Sequence, residues 1–596
     1  SMQNPYWIVN RMQPENKKQR YMLNASLKWD ITDWFNVVGR VRVDNTTQDS
    51  FNRRHASTMT TFTEGSRNGF YGHAKQNDYA TYADVIANIN KTWEDWSLHV
   101  NVGGSIDDRS SNSAYFNGGL NKVPNFFHYG NINKNTSKRN ESSWHQQIQS
   151  VFASAEVGWN RMLYLTLTAR NDWDSALAYT ANKSFFYPSA GLSFVASELF
   201  DLPVALPYLK LRASFGILGN DAISDFLYLQ GIALSSKPNV VINGVPTQSL
   251  STSSVPNRNI TWETTTTYNI GADASLWNRL LTVEADAFYK VTTDILQSQS
   301  GQMPPSIGGN YASIINGGVI DVRGFELVLG HSNQIGDFRY NVSANTSFAR
   351  NRYISTNDSD NIPSYQSKIG QPLGGVLGYV SDGLYQSEED IASSPLYNSG
   401  VRVGDIKYKD LNGDGKINAA DRSMIGNPHP DVTGGVNLGF GYKNWDLSTY
   451  LYYTIGNDLY AHYELYTNWG QLANVFTYER VERGWHPVNN PNGTLPMFVR
   501  GDTHAETNVS HTNYIQDGSY LRMQTLTLGY TLPKKWLNKI KMSRIRFYAQ
   551  LSNVFTLTGY EGLDPEVYQG SDRSRGIDYG SYGMPRQYLF GVNIDF

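Results

Sequence analysis

Residues 586–596 close the chain with the sequence RQYLFGVNIDF, from Arg586 to Phe596. Successive side chains of a β-strand point to opposite faces, so this stretch predicts a strand with two unlike faces. One face carries Tyr588, Phe590, Val592, Ile594 and Phe596; the other carries Leu589, Gly591, Asn593 and Asp595. A soluble sheet edge with the first face would invite aggregation. A transmembrane barrel strand, apolar toward lipid and polar toward the lumen, explains both faces.

The same alternation recurs along the chain, most clearly between Tyr268 and Thr292. Two strands are predicted there, joined by a turn at Trp277-Asn278-Arg279, and all their charged residues share the non-lipid face. A Lys at the membrane midplane would cost about 2–4 kcal/mol, which explains the sorting. Counting such segments from Leu23 onward predicts about 17 strands of 10–14 residues. The predicted fold is all-β, a transmembrane antiparallel barrel.

Predicted connections alternate between short turns and long polar loops, as in outer-membrane barrels. The short, periplasmic turns lie near Asp33-Trp34, Glu94-Asp95, Asn160-Arg161, Asn278, Ile335-Gly336 and Asn444. The long, extracellular loops span roughly 46–79, 108–147, 219–262, 353–432, 458–518 and 558–585. Tryptophans crowd the short turns: Trp29, Trp34, Trp93, Trp96, Trp159, Trp277 and Trp445. They predict an aromatic girdle at one membrane interface, the alternative being caps on the core of a sandwich.

Composition supports a barrel and argues against several other classes. Among 596 residues, aromatics are 13% and charged residues only 17%, with no cysteine and a net charge of −3. The absence of a basic block argues against nucleic-acid binding. No run of 18 apolar residues exists, so no transmembrane helix is predicted. No signal peptide begins the sequence, so we expect it to be the C-terminal part of a longer protein.

Several stretches resemble the SusC/RagA-type TonB-dependent outer-membrane transporters. They are NPYWIVNRM (4–12), GDIKYKDLNGDGKINAADRSMIGNPHPDVTGG (404–435), YLRMQTLTLGYTLP (520–533), FTLTGYEGLDPE (555–566) and the terminal strand. The resemblance implies a 22-stranded barrel, so that residues 1–596 are its C-terminal part and 586–596 its closing strand. It also implies that the N-terminal plug domain, the TonB contact and about five first strands lie outside this chain.

The resemblance implies a function in import across the outer membrane of a Gram-negative bacterium. The cargo would be an oligosaccharide or peptide, and the partners a SusD-like surface lipoprotein and, through the plug, TonB. A dimer of transporter–lipoprotein pairs is compatible with the resemblance. The alternatives are a passive porin-type or structural barrel and a β-rich carbohydrate-active enzyme, which would need two facing carboxylates. No catalytic constellation is recognisable, so an enzyme is not expected.

The sharpest local motif is DLNGDGKINAAD, residues 410–421, within the predicted 353–432 loop. Its spacing matches a calcium loop of the EF-hand or dockerin type. The predicted ligands are Asp410, Asn412, Asp414, the carbonyl of Lys416, Asn418 and Asp421. Gly415 would permit the sharp turn and Ile417 would pack inward. The alternative is an Asx-rich loop closed by its own hydrogen bonds without metal.

A second candidate site is the aromatic series in NDLYAHYELYTNWG, residues 457–470. Its members Tyr460, Tyr463, Tyr466 and Trp469 recur at helical spacing. They could stack on sugar rings of a substrate, or form the apolar stripe of a helix packed on the barrel rim. Charged residues on the lumen-facing parity, Arg170, Glu284, Asp286 and Lys290, could contact plug or substrate or simply form a solvated wall.

Overall fold

A computed structural model describes residues 3–221, 223, 227, 229, 232–234, 240–252, 256–298, 314–356, 366–467, 477–497, 509–567 and 574–595. Strands dominate this part of the chain. Within it, no helix is both long and apolar enough to span a membrane.

The described strands are numbered in chain order. The first part contains β1 (Met12–Thr32), β2 (Phe35–His55), β3 (Gly69–Trp93), β4 (Trp96–Gly119), β5 (Lys138–Trp159), β6 (Leu163–Asp174), β7 (Ser184–Val195), β8 (Tyr208–Asn220), β9 (Ile232–Leu234), β10 (Val240–Ile242), β11 (Val245–Thr247) and β12 (Leu250–Thr252). The second contains β13 (Glu263–Leu276), β14 (Leu281–Ser298), β15 (Ile314–Ile335), β16 (Phe338–Ser355), β17 (Val376–Gly378), β18 (Ser381–Leu384), β19 (Ile406–Tyr408), β20 (Ser423–Gly426), β21 (Val432–Tyr442), β22 (Trp445–Ile455), β23 (Asp458–Tyr460), β24 (Ile515–Asp517), β25 (Tyr520–Thr531), β26 (Arg544–Thr558) and β27 (Gln587–Asp595). The helices are α1 (Pro5–Arg11), α2 (Glu388–Ser393), α3 (Glu464–Thr467), α4 (Tyr478–Arg483) and α5 (Lys534–Ile540).

One large sheet contains 17 of these strands, namely β1–β8, β13–β16, β21, β22 and β25–β27. Strands that follow one another along the chain pair as antiparallel neighbours, as β1–β2, β3–β4, β21–β22 and β26–β27 show. Short turns favour this pairing because they leave two successive strands side by side. The sequence-based prediction of about 17 antiparallel strands is confirmed.

The chain divides into two compact units. Unit 1 comprises Ser1–Leu192, Gly216–Thr264 and Asp294–Asn316; unit 2 comprises Ser193–Phe215, Thr265–Thr293 and Gly317–Phe596. Unit 1 contains the strands β1–β6. Unit 2 contains β16, β21, β22 and β25–β27, together with the long segments that connect β16 to β21 and β22 to β25.

In unit 1 the strands are much longer than the sequence predicted. β1 to β5 have 21 to 25 residues each, and β1 begins at Met12 rather than near Leu23. The predicted loops 46–79 and 108–147 are wrong over most of their length, because only residues 56–68 and 120–137 connect the strands there. Each predicted strand ends where its apolar face ends. Beyond that point polar residues continue the strand pairing, since backbone hydrogen bonding does not require an apolar face.

The predicted separation of faces is confirmed in each unit. In unit 2, Ile270 is 64% exposed on one face of β13, while Asp273 on the other face binds Arg212 of β8 at 2.7 Å. Arg212 also binds the predicted lumen-facing Asp286 of β14 at 2.9 Å. In unit 1, Arg170 binds Asp172 at 2.7 Å on the polar face of β6. These charges are therefore compensated within the polar wall.

The turn-proximal tryptophans lie at the surface of each unit. Their exposed fractions are 66% for Trp29, 44% for Trp34, 43% for Trp93 and Trp96, 39% for Trp159, 58% for Trp277 and 49% for Trp445. Core caps of a soluble sandwich would be buried. The exposure favours the aromatic girdle over the alternative.

The terminal strand β27 pairs with β26 from Gln587 opposite Ser552 to Asp595 opposite Arg544; Phe596 lies outside the described residues. Its predicted apolar face is exposed, with Phe590 at 80% and Tyr588 at 68%. Gly591, on the other face, lies beneath the ring of Tyr548, where any Cβ would overlap it. The glycine therefore makes room for an aromatic side chain of the neighbouring strand.

This sidedness predicts the effect of a charge on β27. Phe590→Arg should reduce the amount of folded receptor in the outer-membrane fraction, because an arginine facing lipid costs about 2–4 kcal/mol near the midplane. Leu589→Arg, which points to the opposite face beside Gln550, is the matched control and should assemble normally. Heat-modifiable mobility on gels measures folding. Equal assembly of the two variants would contradict the assignment of faces.

Candidate functional site

The long segments of unit 2 that follow β16 and β22 share a hydrophobic core, called here the loop core. It contains Tyr379, Leu384, Ile406, Tyr408, Ile417, Tyr460, Leu465, Trp485, Leu495 and Tyr514, all at most 8% exposed. Three short antiparallel ladders fold the segments: β17 with β20 and β18 with β19 within the first, and β23 with β24 within the second. The described residues of the predicted loops 353–432 and 458–518 therefore form a folded layer, called here the loop layer.

A buried histidine packs against two tyrosines of this loop core, Tyr408 and Tyr514. His511 is 0% exposed, and its ring stacks on Tyr514 with centroids 4.1 Å apart. Burial lowers the pKa of His511 to about 3, so the ring is neutral at physiological pH. An uncharged histidine can be held among tyrosines without the cost of burying a cation.

The predicted aromatic series does not form one helical stripe in the described residues. Tyr460 ends β23 and is 8% exposed in the loop core, whereas α3 covers only Glu464–Thr467. Tyr463 packs against a second small cluster formed by Leu459, Ala461 and Tyr560. Tyr466 is 39% exposed, and Trp469 lies outside the described residues. Of the described three, Tyr466 is the most accessible to a ligand, while Tyr460 supports the layer.

A cavity of about 660 Å³ lies in this loop layer. Its polar lining comes from three separate segments: Ser381, Gln386, Glu464, Glu479, Arg483, Thr494, Thr512, Asn513, Gln516, Asp517 and Glu561. Among the described residues, no aromatic side chain lines it. Such a lining offers many hydrogen-bond donors and acceptors and little apolar surface, which suits a hydroxyl- or amide-rich ligand.

Contacts between the lining residues hold part of this wall in place. Glu464 is 5% exposed and accepts a hydrogen bond from the side-chain amide of Gln516. The oxygen of that amide accepts from the backbone N–H of Glu561 at 3.1 Å. Arg483 forms an ion pair with Glu479 one turn earlier in α4. The wall is thus a linked polar surface that needs no ligand to organise it.

The predicted calcium motif forms a tight loop in unit 2. Gly413 and Gly415 have φ of +75° and +79°, so the expected sharp turn is present and requires glycine. Ile417 is 3% exposed and packs into the loop core, as predicted. Gln366 and Leu396 contact the same segment from outside, through hydrogen bonds with Ala419 and Ile417.

The side-chain oxygens of the predicted ligands accept hydrogen bonds from the loop's own backbone N–H groups. Asp410 accepts from Gly413 at 2.7 Å and from Gly415 at 2.8 Å, and the bond from Gly415 contributes most to lowering the pKa of Asp410. Asp421 is fully buried and accepts from Leu411 and Asn418. Across the described ranges, no three acidic or histidine side chains converge as a metal centre. The contacts account for the loop without a metal.

The remaining predicted ligands stand around Asp414. Its carboxylate accepts from the side-chain amides of Asn412 at 3.1 Å and Asn418 at 3.4 Å, and from the backbone of Lys416. The structure therefore places Asn412, Asn418 and the backbone N–H of Lys416 beside Asp414, but the acidic members of the predicted set do not converge as a metal centre in the described residues. Carboxylate oxygens with spare lone pairs could still bind a cation.

Calcium binding by this loop is a proposal that calorimetry tests. Titration of Ca²⁺ into EDTA-treated full-length receptor should give a binding isotherm, and Asp414→Ala should abolish it, because a central carboxylate is lost. Asp382→Asn, a half-exposed acidic residue of the same layer, is the control and should retain the isotherm. Flat traces for all three proteins would favour the loop closed only by hydrogen bonds.

One buried arginine anchors the segment after β26 to the sheet of unit 2. Arg522 of β25 is 2% exposed and binds Glu566 at 2.7 Å and Thr556 at 2.9 Å, with a further ion pair to Asp564. Asp564 in turn accepts from the backbone of Met584 at 2.8 Å. The sequence stretch Gly562–Glu566 is therefore held against β25 by paired charges.

Sequence reasoning missed the cavity and this anchor. Gln516 and Glu464 are 52 residues apart, and Arg522 and Asp564 are 42 apart, so no local spacing marks either pair. A polar residue in a long loop has no periodic pattern that distinguishes a lining side chain from a solvated one. Gln516 meets Glu464 through the pairing of β23 with β24, and Arg522 meets Asp564 because β25 pairs with β26.

The long antiparallel meander with an exposed apolar face and a charge-paired polar face defines a membrane β-barrel protein by class. Comparison with known proteins is specific: residues 2–554 match the model of the family described as TonB dependent receptor-like, beta-barrel. The chain belongs to this family. The resemblance noted in the sequence is thereby confirmed.

Curated relatives carry the same family name. The chain is 27% identical over 622 residues to TonB-dependent receptor P3 of Formosa agariphila, covering 100% of this chain and 60% of the relative. It is 26% identical over 626 residues to TonB-dependent receptor SusC of Bacteroides thetaiotaomicron, covering 100% and 59%. The chain thus spans about three fifths of the length of these relatives.

Solved structures show the same fold. The structure of the RagAB peptide transporter superposes with a TM-score of 0.80 at 20% identity, covering 100% of this chain and 64% of that one. The RagAB peptide importer in its 'open-open' state gives 0.80 at 19% identity, with 100% and 63% coverage. At this identity the likeness supports the fold alone.

Proposed function

We propose that the chain is the barrel portion of an outer-membrane importer that takes up a nutrient with energy delivered through TonB. The observation that carries the proposal is the family match over residues 2–554. The exposed apolar face of the sheet supports a membrane location, because such a face is stable only against lipid. The long loops would face the cell exterior and the short turns the periplasm.

The proposed cargo is an oligosaccharide or a peptide, and the proposed capture site is the 660 Å³ cavity of the loop layer. Both ligand classes present many hydroxyl or amide groups, which match the carboxylate, amide and hydroxyl groups of the lining. The solved structures of similar fold are those of a peptide importer, and one relative is named SusC. Tyr466 could add a stacking surface.

The proposed partners follow from the family. A SusD-like surface lipoprotein would cover the loop layer, and two transporter–lipoprotein pairs could associate. The plug, the TonB contact and the remaining barrel strands would come from sequence outside this chain. The barrel would bind and release cargo without covalent chemistry.

A growth assay tests the import proposal. Deletion of the gene should abolish growth on one oligosaccharide or peptide mixture as sole source, and the full-length receptor should restore it. The double change Asn513→Ala and Glu561→Gln should raise the half-saturating cargo concentration at least fivefold, because two lining groups are lost. Asp382→Asn, in the same layer but outside the lining, is the control.

The import function and the assignment of the cavity as the capture site can be refuted independently. If deletion changes growth on no glycan or peptide source, import is refuted. If deletion abolishes growth but the cavity variants transport normally at equal surface amounts, import stands and the cavity is not the capture site.

A further inference from the structure

One level of the sheet in unit 2 carries aromatic side chains on five neighbouring strands. The strand register places them opposite one another across β16, β21, β22, β25 and β26: Phe338, Tyr442, Trp445, Tyr530 and Phe547. Four of these five side chains are between 38% and 52% exposed. Aromatic residues near the ends of barrel strands mark the boundary between hydrocarbon and lipid head groups. This row is therefore called here the girdle of unit 2.

The connection from β25 to β26, residues 532–543, begins just beyond this girdle and contains α5. The backbone N–H of Leu532 donates to the carbonyl of Ile545 at 2.9 Å, which closes the base of the connection. Pro533, which precedes α5, is three residues from Tyr530. Three residues advance about 10 Å along a strand, or about 7 Å along the membrane normal at a tilt of about 45°. Since head groups extend about 5–7 Å beyond the hydrocarbon core, α5 begins at their depth.

The burial of two apolar side chains shows on which side of the sheet α5 lies. Ile545 shares the outward face of β26 with Phe547, yet it is only 8% exposed, whereas its cross-strand partner Ile594 is 45% exposed. The helix α5 lies against β26, and its Leu537 is 3% exposed. We infer that α5 covers the end of β26 from the lipid side, because that is the side on which Ile545 has lost its exposure.

The remaining surface of α5 is basic. Residues 534–544, KKWLNKIKMSR, contain five basic residues and no acidic one. In the part of the chain that the structure describes, four exposed lysines of this stretch form no ion pair: Lys534, Lys535, Lys539 and Lys541. Trp536 lies among them and is 56% exposed. These four lysines and Trp536 are called here the basic turn.

The basic turn differs from the charged groups of the polar wall in unit 2. Arg212 and Arg522 are compensated there by carboxylates of neighbouring strands or segments. Uncompensated lysines repel one another, and an exposed indole leaves apolar surface in water. A layer of anionic head groups would relieve both costs, since it supplies phosphate oxygens to the lysines and a partly apolar environment to the ring.

We propose that the basic turn binds the phosphates of anionic phospholipids, such as phosphatidylglycerol, in the leaflet at the short-turn end of the barrel. The lysine ammonium groups would contact phosphate oxygens, and Trp536 would insert among the head groups. Each basic residue near an anionic surface strengthens binding by about fivefold. The depth of α5 and its place on the lipid side favour a lipid over a soluble acidic protein. The inference rests on the proposed membrane location, and on neither the cargo nor the cavity.

Quenching of Trp536 fluorescence by brominated lipids tests the inference. The full-length receptor and its Trp536→Phe variant are reconstituted in vesicles of equal parts phosphatidylglycerol and phosphatidylethanolamine. One lipid or the other carries bromine near its glycerol, and the difference between the two proteins isolates the signal of Trp536. Brominated phosphatidylglycerol should quench this signal at least threefold more strongly. About 1 M KCl should remove most of the difference, because salt screens exposed charges.

Two charge-neutralised proteins provide the matched comparison. The first combines the changes of the basic turn, and it should be quenched equally by the two lipids: Lys534→Gln, Lys535→Gln, Lys539→Gln and Lys541→Gln. The second removes four lysines in or next to the connections from β4 to β5 and from β6 to β7, and it should keep the preference: Lys122→Gln, Lys134→Gln, Lys138→Gln and Lys183→Gln. Heat-modifiable mobility verifies folding. If the first protein does not fold, the wild-type preference and its loss in KCl decide the question.

Four results would overturn the inference. Equal quenching of wild-type Trp536 by the two lipids would do so, as would a preference that survives in the first neutralised protein. No quenching by either lipid would assign the basic turn to a soluble partner. A preference that inorganic phosphate abolishes, but KCl of equal ionic strength does not, would assign it to a free anion.

Growth on candidate cargo is measured in parallel, because the lipid site and the import function can fail independently. A gene deletion that changes growth on no glycan or peptide source would refute import. The same receptor with a retained lipid preference would leave the lipid site in place.

Discussion

Arg522→Met is expected to destabilise the folded receptor by about 3–5 kcal/mol, the cost of breaking a buried ion pair by removing one partner. The guanidinium of Arg522 is 2% exposed, and Asp564 beside it has a side chain only 11% exposed. Without the arginine, the carboxylates of Asp564 and Glu566 must be rehydrated. The easiest route is for the segment after β26 to detach from β25.

Urea titration of the full-length receptor, followed by the heat-modifiable band, measures this loss. Limited proteolysis should cleave between β26 and β27 before any other described segment. Arg483→Met is the matched control, because Arg483 forms an exposed pair with Glu479 within α4, worth only about 0.3–0.5 kcal/mol. Equal midpoints for the two variants would show that the Arg522 cluster does not hold the segment.

The second large effect is expected at Gly434, which begins the glycine pair of β21. A Cβ at this position would overlap the carbonyl oxygen of Asn345 on β16 and lie 2.6 Å from the Cζ of Tyr453 on β22. The ring of Tyr453 can shift, but the carbonyl belongs to a paired strand and cannot. Gly434→Val should therefore cost about 3 kcal/mol or prevent pairing of β16 with β21.

Gly39 in β2 provides the control for this substitution. It is also a strand glycine, yet a Cβ there would meet nothing within 4 Å. Gly39→Val should leave stability unchanged or raise it, because valine favours strands. Folded yield and urea midpoint measure both variants. A normal folded yield and urea midpoint for Gly434→Val would contradict the prediction. They would show that the backbone at Asn345 can move away from the added side chain.

Much of the fold could be predicted from the sequence because a barrel hairpin is a local structure. The alternation in Tyr588–Ile594 predicts which side chains face outward, and the short turn at Asn444 makes β21 and β22 neighbours. Both inferences need only a period of two and a tight connection. Strand ends were predicted poorly, since Phe51 and Phe116 lie on strands that continue where the sequence loses its apolar face.

The sequence predicts the 410–421 loop well but not the cavity of the loop layer. The loop at 410–421 has a local motif, and its turn at Gly415 and the inward packing of Ile417 were correctly predicted from spacing. Its metal content stays a prediction, because the same oxygens also suit hydrogen bonds to the loop's own backbone. The cavity residues could not be predicted, because Glu464 and Gln516 meet only through pairing of β23 with β24.

By itself the sequence determined the class of fold, the sidedness of each strand and the identity of the family, because each resides in local alternation or contiguous motifs. The tertiary structure decided which distant residues share a surface. It placed Phe51 and Phe116 on either side of His73, Arg522 against Asp564, and Ile417 in the loop core with Trp485. The physical reason is that strand pairing and burial act on residues close in space, whatever their separation along the chain.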